Sequence, residues 1–214
     1  MCDVEINLSP LSIQQKYVNI YNAMLENQRG YEQRLDDLKL TIDGYLDVLK
    51  NSTKENINIG GYIIKTDMRN RYNKSLPFKG LSMENYFIDP IVNETGLDFS
   101  SYKSVFPGEF ACSLTKIGRD CRSTVVHNTS AETYLISPAY YPFKLEKIDA
   151  SYFMEYVSRK EFERRAWFSC DTTTRRNLTW EEFCQLKIPK ITKNERSIVS
   201  NLYNTYIMRN NINE

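Results

Sequence analysis

SIQQKYVNIYNAMLENQRGYEQRLDDLKLTIDGYLDVLK, residues 12–50, holds Tyr17, Tyr21, Met24, Gln28, Tyr31, Leu35, Leu38, Ile42, Tyr45 and Leu49 at spacings that alternate strictly between four and three. A period of 3.5 residues is the seam of a helix that supercoils against another helix. At about 1.5 Å per residue the segment rises about 58 Å, longer than the diameter of any domain the rest of the chain can build. It reads as a strut whose seam requires a partner. The helix surface outside the seam carries Glu26, Arg29, Glu32, Arg34, Asp36, Asp37, Lys39, Asp43 and Asp47, which read as a solvated face. Gly30 and Gly44 lie inside the helix at a cost of about 1 kcal/mol each relative to alanine, which close approach of a partner backbone would offset.

The surroundings of the strut set its ends. Residues 3–8, DVEINL, alternate Val4, Ile6 and Leu8 with polar residues as a short strand does; Pro10 stops that strand and Ser12 is placed to cap the helix. Asn51, Ser52 and Thr53 end the periodicity. From Ile57 the preferences turn to β-branched and aromatic residues, in GGYIIKTDM (60–68), STVVH (123–127) and ETYLIS (132–137), with turn clusters DPIVNETG (89–96) and FPGE (106–109) between them. Residues 57–145 are therefore expected to be mostly β. Residues 150–169 return to a helical stripe of Tyr152, Phe153, Tyr156, Val157, Phe162 and Trp167. TWEEF (179–183) opens a short helix with Thr179 as N-cap and Glu182 three residues on, and QLKIPKI (185–191) reads as a strand.

The end of the chain repeats its beginning. Laying residue n on residue n + 182 places Cys2 on Cys184, Val4 on Leu186, Ile6 on Ile188, Asn19 on Asn201, Ile20 on Leu202, Tyr21 on Tyr203 and Asn22 on Asn204. A strand, a bend and a helix start thus occur twice, with one domain between them. The expected division is a closing strand at 1–11, the long helix at 12–50, a domain at 51–191 and the start of a second helix at 192–214. The expected fold class is α+β: a mixed, mostly β domain with short helices, attached to a long coiled-coil-forming helix.

Composition narrows the function. No run approaches the roughly 18 apolar residues of a membrane span, and MCDVEINLSP lacks the marks of a signal peptide, so a soluble, cytoplasmic protein is expected. The five cysteines, Cys2, Cys112, Cys121, Cys170 and Cys184, are scattered without a CxxC spacing, and His127 is the single histidine. Neither a zinc site nor a Cys–His pair is expected from that set, and Cys112 and Cys121 read as small apolar residues in a reducing compartment. GG at 60–61 and GRD at 118–120 do not make a phosphate-cradling loop, no Gly-x-Ser-x-Gly elbow occurs, and Glu161–Glu163 and Glu181–Glu182 read as solvated charges. No catalytic residue and no cofactor is assigned.

The net charge of +1 hides a split. Residues 1–50 hold five basic against eight acidic side chains, and residues 56–190 hold nineteen basic against sixteen acidic. In the basic part, LTKIGRDCRSTVV (114–126) sets Lys116, Arg119 and Arg122 around a glycine turn. RKEFERRAW (159–167) and CDTTTRRNLTW (170–180) set Arg159, Lys160, Arg164, Arg165, Arg175 and Arg176 among Thr172, Thr173, Thr174 and Asn177. Arginine reads guanine edges bidentately, and threonine, asparagine and backbone amides suit phosphate and base contacts. The candidate DNA-binding residues are Lys116, Arg119, Arg122, Thr172, Thr173, Thr174, Arg175, Arg176 and Asn177.

These residues resemble a known family. The helix at 12–49 is similar to the conserved helix of type I restriction-modification specificity (S) subunits. GLSMENYFI (80–88), YKSVFPGEFAC (102–112), YLISPAYYPFKL (134–145), FMEYVSRKEFERRAW (153–167) and TTTRRNLTWEEFCQLKIP (172–189) are similar, in that order, to one of their target-recognition domains. The resemblance implies a non-catalytic subunit that reads one half of a split double-stranded DNA site. It also implies docking of methyltransferase (modification) subunits and, with them, of a restriction subunit. A complete specificity subunit has two recognition domains held apart by two antiparallel helices; this chain carries one domain, one full helix and the beginning of a second. The resemblance then implies a homodimer through residues 12–50. Two other readings remain open: a truncated fragment acting as regulator or recombination cassette, and a coiled-coil interaction protein without DNA binding.

Overall fold

A computed structural model describes residues 8–53, 55–72, 75–90, 98–115, 117, 122–171 and 177–213. The strand expected at 3–8 falls almost wholly outside them, and with it the strand of the first copy of the repeat. Helix α1 runs from Leu11 to Ser52 as one uninterrupted element. Its N-cap is Pro10, which accepts the first amide bonds through its carbonyl and offers no side-chain cap, so the cap expected at Ser12 is corrected by two residues and Ser12 lies inside the first turn. Proline suits this boundary because its fixed φ ends the extended chain without a missing donor mattering.

The domain begins with β1 (Asn56–Asn58) and a single 3-10 turn, then β2 (Ile63–Lys65), β3 (Gly80–Leu81), β4 (Phe87–Ile88), β5 (Lys103–Val105) and β6 (Phe110–Ser113). It continues through β7 (Thr124–His127), β8 (Tyr134–Ile136) and β9 (Tyr141–Leu145) to α2 (Ala150–Val157), α3 (Lys160–Phe168), α4 (Trp180–Gln185), β10 (Lys187–Pro189) and α5 (Lys193–Asn213). The fold is α+β, a long helix joined to a β-rich body with short helices. The central sheet is antiparallel in the order β2-β9-β6-β7, flanked by the pairs β5-β8 and β3-β4. Strand alternation assigns its two faces. Phe110, Cys112, Val125 and Phe143 point into the main core with Phe153 and Phe183, whereas Ala111 points to a smaller cluster with Val105 and Ile136.

Two local expectations meet different outcomes. Thr179 and Glu182 form a full capping box, each side chain bonded to the other's backbone amide, and α4 starts there. The single helix expected over 150–169 is two. The Ser158 side chain bonds back to the Glu155 carbonyl, and Arg159 takes an extended backbone before α3 begins. The break frees Arg159 to leave the helical path and reach α1.

There the guanidinium, only 6% exposed, bonds Asp43 at 2.7 Å and Asp47 at 2.6 Å. Lys39 bonds Glu155, whose side chain is fully buried, at 2.6 Å, and Lys50 pairs with Glu161. So Lys39, Asp43 and Asp47, read from sequence as part of a solvated face, are corrected to ion-pairing positions that tie α1 to α2 and α3. Burial pushes the Glu155 carboxyl above its ordinary range, with Lys39 opposing. Burial opposes the charge on Arg159, but Asp47 and Asp43 outweigh it and hold the guanidinium more firmly protonated than usual. Gly30 and Gly44 do not mark a close approach within the chain, since a Cβ at either would meet nothing within 4 Å.

The domain enters and leaves at one place. β1 pairs antiparallel with β10, Asn56 opposite Pro189, Ile57 opposite Ile188 and Asn58 opposite Lys187. Next to this clasp the Thr53 hydroxyl donates to the Lys190 carbonyl at 3.1 Å and Lys190 pairs with Glu55 at 2.6 Å. From there α5 runs back antiparallel to α1: Lys39, well before Thr53, lies over the ring of Tyr206, as far beyond Thr192. The second half of the repeat is thus a strand and a helix, β10 and α5.

Candidate nucleic-acid interface

The two basic segments meet at their roots. The Leu178 amide donates to the Leu114 carbonyl at 2.9 Å, so the chain leaving β6 and the chain entering α4 run side by side. The second segment is closed by Asp171 and Asn177, whose backbones bond at 3.0 Å. Of the candidate DNA-binding residues, Lys116, Arg119, Thr172, Thr173, Thr174, Arg175 and Arg176 lie outside the described residues. Asn177 stands at the root of the second segment. Arg122 ends the first, with its guanidinium on the Met83 carbonyl at 3.4 Å, near the β3-β4 hairpin. Arg122 also bears on Glu163, whose carboxyl burial raises while Arg122 and Lys160 oppose the rise. Arg159 and Arg165 belong elsewhere, the first to α1 and the second to Glu161 at 2.9 Å.

Beside the roots lies a group that no sequence spacing announced. Tyr141, on β9 opposite Cys112 of β6, stacks on Trp180 at the start of α4, with centroids 5.6 Å apart. Lys65, the last residue of β2, holds its ammonium 4.9 Å from the Tyr141 centroid and 5.8 Å from that of Trp180. Lys103 places its ammonium 5.2 Å from the same tyrosine ring. Lys103 is almost fully buried, donates to the Tyr140 carbonyl at 2.9 Å and pairs with Asp67 at 3.2 Å. Pairing of β2 with β9 brings together Lys65, Tyr141 and Trp180, which are 39 to 115 residues apart in sequence. Only a feature of composition, basic residues interleaved with aromatics, hinted at such a surface.

The coiled-coil positions fall into two sets. Ile42 and Leu49 are buried, and Leu38 and Tyr45 pack against the same core, together with Leu202, Tyr203 and Tyr206 of α5. Leu46, outside the seam, is as buried as Ile42. Leu35 is half-buried, while Tyr17, Tyr21, Met24, Gln28 and Tyr31 are exposed. Leu11, Ile13, Val18 and Ile20 add to that exposed apolar stretch.

The remaining chemistry is structural. Cys112 is buried in the core, where burial raises its thiol pKa, the Cys170 thiol donates to the Ala166 carbonyl at 3.3 Å, and burial also raises the Cys184 thiol. The His127 ring stacks on Phe110 at 4.2 Å and burial lowers its pKa, so it packs as a neutral aromatic. Among the described residues no group of three His, Cys, Asp or Glu side chains could hold a metal, and no helix is long and apolar enough to cross a membrane.

The sequence matches no family model and no curated protein. Its fold does match solved structures. The HsdS subunit from Thermoanaerobacter tengcongensis superposes with a TM-score of 0.53 at 13% identity, over 94% of this chain and 52% of that one. The S subunit of a type I restriction-modification system from M. genitalium superposes with a TM-score of 0.55 at 12% identity, over 92% of this chain and 54% of that one. The long helix and the β-rich body are therefore the fold of type I specificity subunits, and the chain spans about half the length of each of these two.

Proposed function

We propose that this chain is a DNA-recognition subunit of a type I restriction-modification complex, non-catalytic itself, whose domain reads one half of a split duplex site. The observation that carries the reading is the Leu114–Leu178 bond, which draws two basic segments to one edge of a domain with the specificity-subunit fold. Phosphate contacts from Lys116, Arg119, Arg175 and Arg176 position the domain, and Arg, Thr and Asn side chains of the same segments reach base edges. Modification subunits carry out the methylation and dock on the assembly; a restriction subunit joins them.

A second copy of the chain supplies the other half-site. Support comes from α1, whose first half shows Tyr17, Tyr21, Met24 and Tyr31 to solvent at coiled-coil spacing, while the second half is occupied by the chain's own α5 and domain. Apolar side chains in that pattern gain by pairing. A two-fold pair reads a two-fold symmetric site. The test is methylation-sensitive sequencing of DNA from cells that express this chain with the modification subunit encoded beside it. A new symmetric split methylation motif is expected. Absence of any motif, with both proteins soluble, overturns the reading.

A further inference from the structure

We propose that Lys65, held over the Tyr141–Trp180 stack, is a contact for the phosphodiester backbone of duplex DNA, a site that rests on the DNA-recognition reading above. Three observations carry it. First, Lys65 is exposed, and no described carboxylate lies within ion-pair distance of its ammonium, whereas the neighbouring Lys103 is neutralised by Asp67. Second, the ammonium has a defined place. Two ring faces hold it, at 4.9 Å and 5.8 Å, and the rings are themselves fixed, Tyr141 by its strand and Trp180 by the capping box that starts α4. A cation resting on ring faces keeps its N–H donors for an anion, which a cation locked to a carboxylate does not.

Third, the place is shared with the basic segments. Trp180 lies two residues after Leu178, whose amide bonds Leu114, and Tyr141 pairs with Cys112, two residues before Leu114. Lys65 therefore stands beside the roots of both segments, at Leu114 and Leu178. A point charge there meets a backbone oxygen of whatever duplex the segments engage, independent of its sequence. A base-edge role fits the geometry less well, because lysine lacks the planar fork that reads guanine bidentately and the rings hold the stem against the domain.

The experiment measures affinity of the full chain for a random-sequence duplex between about 50 and 200 mM salt, for wild type, Lys65→Ala and Lys65→Arg. One lost phosphate contact lowers the slope of log K against log salt by about 0.9. Lys65→Ala is expected to show that loss and to weaken binding severalfold on every sequence tried, with Lys65→Arg close to wild type. A second readout uses Trp167→Phe, which leaves Trp180 as the single tryptophan; its fluorescence is expected to respond to DNA, and the response to vanish with Lys65→Ala. Salt-dependent binding whose slope and Trp180 response are the same in Lys65→Ala overturns this inference and leaves the DNA-recognition reading standing. A wild-type chain that binds no duplex at 50 mM salt overturns both.

Discussion

The two halves of α1 share one periodicity and have opposite fates. From Lys39 to Ser52 the helix buries Ile42, Leu46 and Leu49 and exchanges ion pairs with α2 and α3; from Leu11 to Tyr31 it exposes the same kinds of residue, Met24 at 67%. A heptad pattern states that a helix has an apolar face, and the environment decides how wide the covered face becomes. Against one slim helix the seam alone suffices. Against α5 on one side and a domain on the other, the buried stripe widens to take in Leu46, and polar positions beside it become ion pairs.

That contrast can be broken by mutation. Leu46→Ala removes a fully buried side chain and is expected to cost about 2–5 kcal/mol, whereas Met24→Ala should stay within about 0.5 kcal/mol, both read by chemical denaturation of the chain diluted until it is monomeric. Equal costs would mean that the first half of α1 is also packed. Arg159→Ala is next, at about 1–3 kcal/mol. It is less than a fully buried pair would lose, because Asp43 and Asp47 are partly exposed and gain water. A double-mutant cycle with Asp43→Asn should show coupling between the two sites.

Gly30→Ala and Gly44→Ala should each stabilise by about 0.5–1 kcal/mol, since a Cβ meets open space at both. A loss on Gly30→Ala that depends on protein concentration would reveal a partner backbone against that position. Glu155→Gln sharpens the comparison through pH. Its carboxyl is raised in the folded chain, so the contribution of Glu155 is fully present below the ordinary glutamate range and is lost as pH rises through the folded value. The stability of Glu155→Gln relative to wild type should therefore grow as pH rises above that range, measured as denaturation midpoints. The smallest effect on stability belongs to Tyr21→Lys with Met24→Lys, which should halve the mass seen by light scattering and leave the denaturation midpoint equal to that of wild type diluted until it is monomeric. An unchanged dimer mass would move association elsewhere.

How much of this was legible in the sequence depends on the range of the interaction. The capping box at Thr179, the long helix and the strand and helix start of β10 and α5 were readable because each is local. The break at Ser158 was not, because the stripe of Tyr152, Tyr156 and Phe162 continues across it, and what pulls Arg159 out of the helix is a pair of aspartates more than a hundred residues away. Lys65 and Trp180 were invisible for the same reason. Strand pairing between β2 and β9, and the packing of α4 on that sheet, have no signature in spacing. Of the site itself, the residue types in the two basic segments were readable and the meeting of their roots was not.

The clasp between β1 and β10 also sets an order in time. It joins strands about 130 residues apart, and closing so long a loop comes late, after the local helices and hairpins have formed. On a ribosome adding about 5–20 residues per second, α1 emerges roughly 7–30 s before α5, which covers part of it. Throughout that interval the part of α1 that α5 covers stands as bare as Tyr17 and Met24 do in the finished fold. Two chains growing side by side would meet along the whole of α1, so the arrival of α5 is the event that separates the half of the helix a chain covers for itself from the half that stays exposed.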